Sequence, residues 1–288
     1  MAILVTGANG QLGRELCRQI GDVAHGVDVN SLDLTNRDLL LRYTSAQKPE
    51  AVLNCAAYTQ VDRAESEPEK CWAINATAVE YLVEACQIVD CPLMQISTDY
   101  VFGGTRSPYR PWRESEPTSP QGIYAQSKLA GEQAAARLPQ HLVVRTCGLY
   151  ARPSDDRATN FVRTMLRLGN TQSELRVVND QHCTPTYVPH LAQALWFLLK
   201  AAVAKNLWGT YHITNQGEAT WHQFASEVFR LADMNVSVLP ITSAEYGALA
   251  PRPSYSVLDT AAYHAVGGPV MPTWQQALAD YFQEARQS

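Results

Sequence analysis

The chain has no run of basic residues: only five of its 23 Lys and Arg are lysines, and 28 Asp and Glu leave a net charge of -5. With no cationic patch to draw in a phosphate backbone, nucleic acid is excluded as a partner. The seven cysteines are odd in number and never spaced Cys-x-x-Cys. That pattern argues against a disulfide framework or structural zinc and reads as reduced thiols, mostly small core residues, in the cytoplasm. No cationic start followed by a long apolar segment is present, and the most apolar helix, Leu191 to Ala204, is interrupted by Gln193 and Lys200. Neither export nor membrane spanning is expected. There is no internal repeat and no low-complexity tract.

What is present is a globular composition, 46% hydrophobic and 18% charged over 288 residues. A chain of this length exceeds one average domain and buries roughly three-quarters of its extended surface. Ala2 to Thr6 is an apolar, β-branched run that reads as a buried parallel strand. Gly7, Gly10 and Gly13 follow at intervals of three, and Leu12, Leu16 and Ile20 then carry helical periodicity. In such a strand-turn-helix the first two glycines are expected to allow unusual backbone angles and close approach to a pyrophosphate. The third lets helix and strand pack tightly, and the helix N-terminus attracts the negative charge. Val27-Asp28-Val29 should end the second strand, placing Asp28 where an acid holds the adenosine ribose. Asp33 and Leu34 are placed to lie beside the adenine, although a plain loop aspartate reads equally well. The strand Ala51 to Asn54 runs into Cys55, Ala56 and Ala57, small residues that let a cofactor lie against backbone or a helix pack closely.

Strand and helix alternate through the first half, which indicates an α/β fold with a Rossmann-type doubly wound parallel sheet. A helix around Arg37 to Thr44 precedes the strand at Ala51. Another, from about Glu69 to Val89, is expected to present Trp72, Ala76, Val79, Val83 and Cys86 to the sheet. The strand Leu93 to Ser97 brings Thr98 and Asp99 to the C-terminal edge, where such sheets bind ligands. Pro108, Pro111, Pro117 and Pro120 make Gly103 to Gly122 a loop that returns Tyr124 toward Thr98; a helix through Lys128 and the strand His141 to Arg145 follow. Beyond it the alternation weakens, with a polar loop at Ser154 to Thr159 and a Pro-rich run at Pro240 to Pro253. The expected division is a dinucleotide-binding domain over 1–150, with a returning segment near 184–204, and a smaller substrate-binding region over 151–183 and 205–288. Trp208, Trp221 and Trp274 read as core or helix-packing groups.

Tyr124 and Lys128 lie four apart, so in a helix both project from one face. With 13 Tyr and five Lys, chance puts a Lys at that spacing about once in four such chains. Company makes the pair informative: a glycine loop to hold a hydride donor, and Thr98 at the strand edge. Hydride arriving at a carbonyl leaves negative charge on oxygen, which a positioned donor stabilises and protonates. Tyr124 is that donor, Lys128 the cation expected to lower its pKa, and Thr98 a hydroxyl that orients the carbonyl. Arg252, beside Pro253, has the forked donors that suit a diphosphate, or makes a surface ion pair.

These motifs resemble those of the dTDP-4-dehydrorhamnose reductase family of extended short-chain dehydrogenases/reductases. The resemblance is carried nearly end to end by Thr6 to Gly13, Asn54 to Thr59, Val61 to Glu65, Asn75-Ala76, Ser97 to Phe102, Tyr124 and Lys128, Asn179-Asp180-Gln181, Pro185-Thr186 and Arg252-Pro253. It implies reduction of the 4-keto group of a dTDP-4-dehydro-L-rhamnose substrate by NADPH or NADH. It further implies that Gly10, Gln11, Leu12, Asp28, Asp33, Leu34, Ala57, Tyr58 and Thr59 contact cofactor, with Lys128 on the nicotinamide ribose beside Tyr124. Thr98 and Asp99 would face the sugar, unless Asp99 merely caps a turn at the strand end.

Related dehydratases carry an acid pair after the threonine, and here Tyr100 takes the second place, which argues for reduction over elimination. Three positions depart from the family pattern. In the run Arg145-Thr146-Cys147-Gly148, family members often read Arg-Thr-Ser-Trp, and Cys183 stands where glycine is usual, so the hexose is less fixed than the chemistry. Some members bind magnesium at a dimer interface. Glu15 is retained, but the surroundings of His190 and Gln275-Gln276 offer no obvious acidic partner, and no metal is expected at His182-Cys183 either. Asp28 favours a free ribose hydroxyl while Arg14 would tolerate a phosphate. A monomer or homodimer is expected. The competing readings are a cofactor-binding regulatory subunit of methionine adenosyltransferase type and a nucleotide-sugar epimerase or dehydratase.

Overall fold

In the computed structural model, which describes residues 2–104, 109–155 and 159–287, strand and helix alternate into one parallel sheet. Pro108 and the middle of the 154–159 loop lie outside the described residues. β1 (Ile3–Thr6) passes through the glycine loop into α1 (Gln11–Ile20), followed by β2 (Ala24–Val27), α2 (Arg37–Gln47) and β3 (Ala51–Asn54). The next crossover is helical in pieces: α3 (Val61–Ala64), α4 (Pro68–Trp72), a π-helical turn at Ala73–Thr77 and α5 (Ala78–Val89). Then come β4 (Leu93–Thr98), α6 (Gly122–Ala135), β5 (His141–Thr146), β6 (Leu149–Tyr150), α7 (Phe161–Gly169), β7 (Glu174–Val178), β8 (His182–Cys183) and β9 (Thr186–Tyr187). α8 (Val188–Lys205) and β10 (Gly209–His212) precede β11 (Ala219–Thr220), α9 (Trp221–Leu231), β12 (Ser237–Ile241), α10 (Ser243–Tyr246), α11 (Ala261–Ala265) and α12 (Trp274–Ala285).

The main sheet has the order β10-β5-β4-β3-β1-β2, with every neighbouring pair parallel. β2 lies to one side of β1 and β3 to the other, so the crevice between the carboxyl ends of β1 and β3 is the switch point of the doubly wound sheet. Side chains alternate across it. Ile3, Val5 and Leu53 join α1 and α8 in one apolar layer, while Leu4, Val52 and Leu93 meet α2, α5 and α6 in the other. Burial on both faces is why these strands read as unbroken apolar runs. α8 carries the chain back onto the sheet through Leu191, Leu195 and Leu198, and β10 adds an edge strand after it. A separate apolar cluster around Tyr150, Phe224, Trp274 and Tyr281 unites β6, α9 and α12.

Two local expectations are corrected. β2 stops at Val27, and Asp28 and Val29 leave the sheet, Val29 being 66% exposed. Trp72 does not face the sheet but is 38% exposed, because the π turn that follows it breaks the 3.6-residue phase on which the expectation rested. Among the described residues no helix is long and apolar enough to cross a membrane.

Candidate active site

Gly7 has φ +64°, and a Cβ there would stand 2.7 Å from the Ala56 nitrogen; one on Gly13 would stand 2.2 Å from the Gly7 oxygen. Both positions therefore require glycine. Gly10, by contrast, has an ordinary φ of -75°. A Cβ there would stand 3.1 Å from the Gly7 oxygen, but no unusual backbone angle is involved, contrary to expectation. No side chain caps α1 and its first turn holds no acid, so its N-terminal amides and partial positive charge remain available to an anion.

A trench of about 610 Å³ follows the switch point, lined by Gly7, Asp28, Asp33, Leu34 and Ala57. Asp28 closes the loop: its Oδ2 accepts the Asn9 amide at 2.9 Å and its Oδ1 the Val29 amide at 2.8 Å. Asp33 accepts the Thr35 amide at 2.9 Å. The trench shares Gly10, Cys55 and Ala57 with a second cleft of about 490 Å³, which holds Thr98, Asp99, Tyr124 and Lys128. Gln11, Leu12, Gly13 and Thr59 also line this second cleft. The Gln11 carboxamide accepts the Ala151 amide at 3.0 Å, fastening the glycine loop to the strand beyond β5. Tyr58 faces neither opening: its hydroxyl donates to Glu67 at 2.9 Å and its amide to the Asn75 carboxamide at 2.8 Å. Arg14 lines the catalytic cleft, pairing with Asp155 and with the carbonyl of Asn9, the residue whose amide Asp28 accepts.

Tyr124 and Lys128 project from α6 toward the end of β4. Lys128 is 3% exposed, and its Nζ donates to the Ile96 carbonyl at 2.6 Å. Burial lowers its pKa to about 8, with Glu132 pulling the other way. The Tyr124 phenol is pushed well above its ordinary value by burial, with the Thr98 hydroxyl opposing and the Asp99 carboxylate reinforcing the rise. Lowering by Lys128, the sequence expectation, is not what this arrangement does: the ammonium is engaged by Ile96 and Glu132. Thr98 donates to Asp99 Oδ1 at 3.1 Å and accepts the Tyr100 amide at 3.2 Å. Burial likewise pushes Asp99 up, and its Oδ2 and the Thr146 Oγ1 are buried without a hydrogen-bond partner. Tyr100 sets its ring edge-on to that of Tyr124, with centroids 5.9 Å apart. Arg252 lies outside the cleft lining and forks onto Asp62, at 2.8 and 3.2 Å.

Several supporting residues carried no role in the sequence reading. Asn75, in the π turn, donates to the Ser127 hydroxyl at 3.0 Å and to the Tyr58 carbonyl at 3.1 Å, linking the trench wall to α6. Ser127 in turn donates to the Tyr124 carbonyl at 2.8 Å. Glu132, one turn beyond Lys128, takes a buried fork from Arg145 at 2.7 and 3.0 Å. Trp221, read as a packing group, lines the catalytic cleft with its ring tilted against Phe161. His190, for which the sequence offered no acidic partner, has Asp280 at 3.4 Å. Among the described residues no three His, Cys, Asp or Glu side chains are grouped to hold a metal.

A doubly wound parallel sheet, a glycine loop on a helix N-terminus and a Tyr-Lys pair beside a strand-end threonine define a Rossmann-fold oxidoreductase of the short-chain dehydrogenase/reductase class. Residues 1–287 match the family model described as RmlD substrate binding domain. A dTDP-4-dehydrorhamnose reductase of Streptomyces griseus is 40% identical over 286 residues, 97% of this chain and 92% of that protein. Crystal structures of dTDP-4-dehydrorhamnose reductases from Clostridium acetobutylicum and, in complex with NADP, from Bacillus anthracis superpose with TM-scores of 0.93 and 0.91. Each is 38% identical and covers 99% of this chain and 100% of its own. The chain belongs to the dTDP-4-dehydrorhamnose reductase family.

Proposed function

We propose that this protein reduces the 4-keto group of dTDP-4-dehydro-L-rhamnose to give dTDP-L-rhamnose, using NADPH or NADH. The observation that carries the reading is the meeting of Thr98, Tyr124 and Lys128 in one cleft that opens into the glycine-loop trench. The residues fit a dinucleotide: glycine at 7 and 13 lets the loop close against Ala56 and against its own backbone, and the uncapped start of α1 suits a pyrophosphate. Asp28, Asp33 and Leu34 would hold the adenosine end, Ala57 and Thr59 the middle, and Lys128 the nicotinamide ribose. The B. anthracis relative was crystallised with NADP, which supports NADPH as a cofactor here.

The bound nicotinamide supplies a hydride to C4 of the sugar. Thr98 donates a hydrogen bond from its hydroxyl to the carbonyl oxygen and fixes the reacting face. Tyr124 protonates that oxygen as charge develops; a phenol held above its ordinary pKa is fully protonated at neutral pH, the state a reduction needs. The unpartnered Asp99 Oδ2 and Thr146 Oγ1 are buried polar atoms suited to sugar hydroxyls. Tyr100 offers no second carboxylate for elimination. Arg252 is assigned to the diphosphate, reached by exchange from Asp62. On this reading the sheet is the cofactor half, the cluster around Phe224 and Trp274 belongs to the sugar-binding half, and the enzyme works in the cytoplasm as a monomer or homodimer without nucleic acid.

Purified protein given NADPH and dTDP-4-dehydro-L-rhamnose should oxidise one cofactor per dTDP-L-rhamnose formed. Cofactor binding without oxidation would instead place the chain with regulatory subunits, and product formation without net oxidation with epimerases.

A further inference from the structure

The three departures from the family pattern noted in the sequence, Cys147, Gly148 and Cys183, come together in space. β6 pairs in parallel with β9, Leu149 opposite Thr186, and the Thr186 amide donates to the Gly148 carbonyl at 3.1 Å. Gly148, at φ +56°, lies so close to the 184–185 backbone that a Cβ would stand 3.1 Å from the Pro185 Cα. This contact brings the residue before Gly148 against the end of β8. Cys147 and Cys183 are each 4% exposed, both line the catalytic cleft, and Cys147 neighbours Asp99. Neither thiol has a part in ketone reduction.

We propose that Cys147 and Cys183 form a redox site, closing reversibly to a disulfide across the sugar end of the cleft when the protein meets a peroxide. Cys147 and Cys183 line a cleft that a small peroxide can enter, and the bond from the Thr186 amide to the Gly148 carbonyl ties together the segments that carry them. One sulfur attacks the peroxide O–O bond, becoming a sulfenic acid as a first water leaves. The second thiol displaces hydroxide from that sulfur, forming the S–S bond and a second water. Two thiols lose two electrons and two protons, and the peroxide is reduced to two waters. Hydrogen bonding to the Cys183 sulfur, then burial and Asp99, push the Cys147 thiol up. The bond then spans residues that line the sugar end of the cleft beside Thr98 and Asp99 and keeps the substrate out, which stops turnover.

The loss of turnover rests on the proposed reductase activity; the bond itself does not. Intact protein is treated with hydrogen peroxide, its free thiols are blocked, and it is digested without reduction. Mass spectrometry should find a Cys147–Cys183 linked peptide that is two hydrogens lighter and disappears with dithiothreitol. NADPH oxidation with substrate should fall in parallel and return on reduction. Cys183→Gly and Cys147→Ser, each compared with its own untreated sample, should keep their activity through the same treatment. No linked peptide, or one joining Cys86 to Cys91, the other close thiol pair, overturns the proposal whatever the activity shows. So does equal inactivation of both variants.

Discussion

The Lys128 ammonium donates to the Ile96 carbonyl at 2.6 Å, joining the helix that carries Tyr124 to the strand that carries Thr98. The cation is thus held at the cleft floor by backbone, before any ribose hydroxyl competes for it.

Burial holds Lys128 at about 8, well below an unfolded lysine at ~10.4. Between these values the unfolded chain binds the additional proton, so stability rises with pH across the window, and below about 8 the buried charge carries its full cost. The stability of the natural chain relative to Lys128→Met should therefore increase from pH 8 upward in urea titrations. Cofactor affinity should fall over the same range, and Lys128→Met should show neither slope.

Tyr124→Phe removes the proton donor and leaves the trench intact. Turnover should drop by at least ~10²-fold with cofactor affinity unchanged, read by fluorescence titration beside initial rates. Full activity would reject the role given to the phenol.

Gly13→Ala drives a Cβ to 2.2 Å from the Gly7 oxygen. Overpacking against backbone should lower stability by about 1–3 kcal/mol and weaken cofactor binding much more than substrate binding.

Arg145→Leu leaves Glu132 buried without its fork and should cost ~3 kcal/mol in urea denaturation. The double change Arg145→Leu with Glu132→Leu should recover part of that loss, the remainder falling on Lys128, which loses Glu132 as a neighbouring charge.

Arg252→Lys loses the forked donor. If the diphosphate draws this residue from Asp62, KM for the dTDP-sugar should rise about tenfold with kcat nearly unchanged. An unchanged KM would leave Arg252 as a partner of Asp62 alone.

What the sequence made legible was whatever depends on short-range order. Apolar runs buried on both faces marked the strands, the glycine triplet marked the first turn, and i,i+4 spacing put Tyr124 and Lys128 on one face of α6. Contacts between distant segments left no such trace. Glu132 meets Arg145 across 13 residues and Asn75 meets Ser127 across 52, pairings set by how α6 lies on the sheet. Tyr58 sits in a recognisable motif, yet its ring turns toward Glu67, because Asn75 fixes the backbone there. The Tyr124 pKa departs from the sequence expectation for a similar reason. Spacing brought a cation near, but the depth of the cleft outweighed it and Ile96 took up the ammonium.

The π turn at Ala73–Thr77 makes length, more than chemistry, the constraint on its segment. One residue beyond what an α-helix accommodates rotates everything after it by about 100°. Deleting any single residue of the turn would swing Asn75 out of line with Tyr58 or with Ser127, loosening Tyr124 from a distance. Substitutions on its solvent side should pass unnoticed.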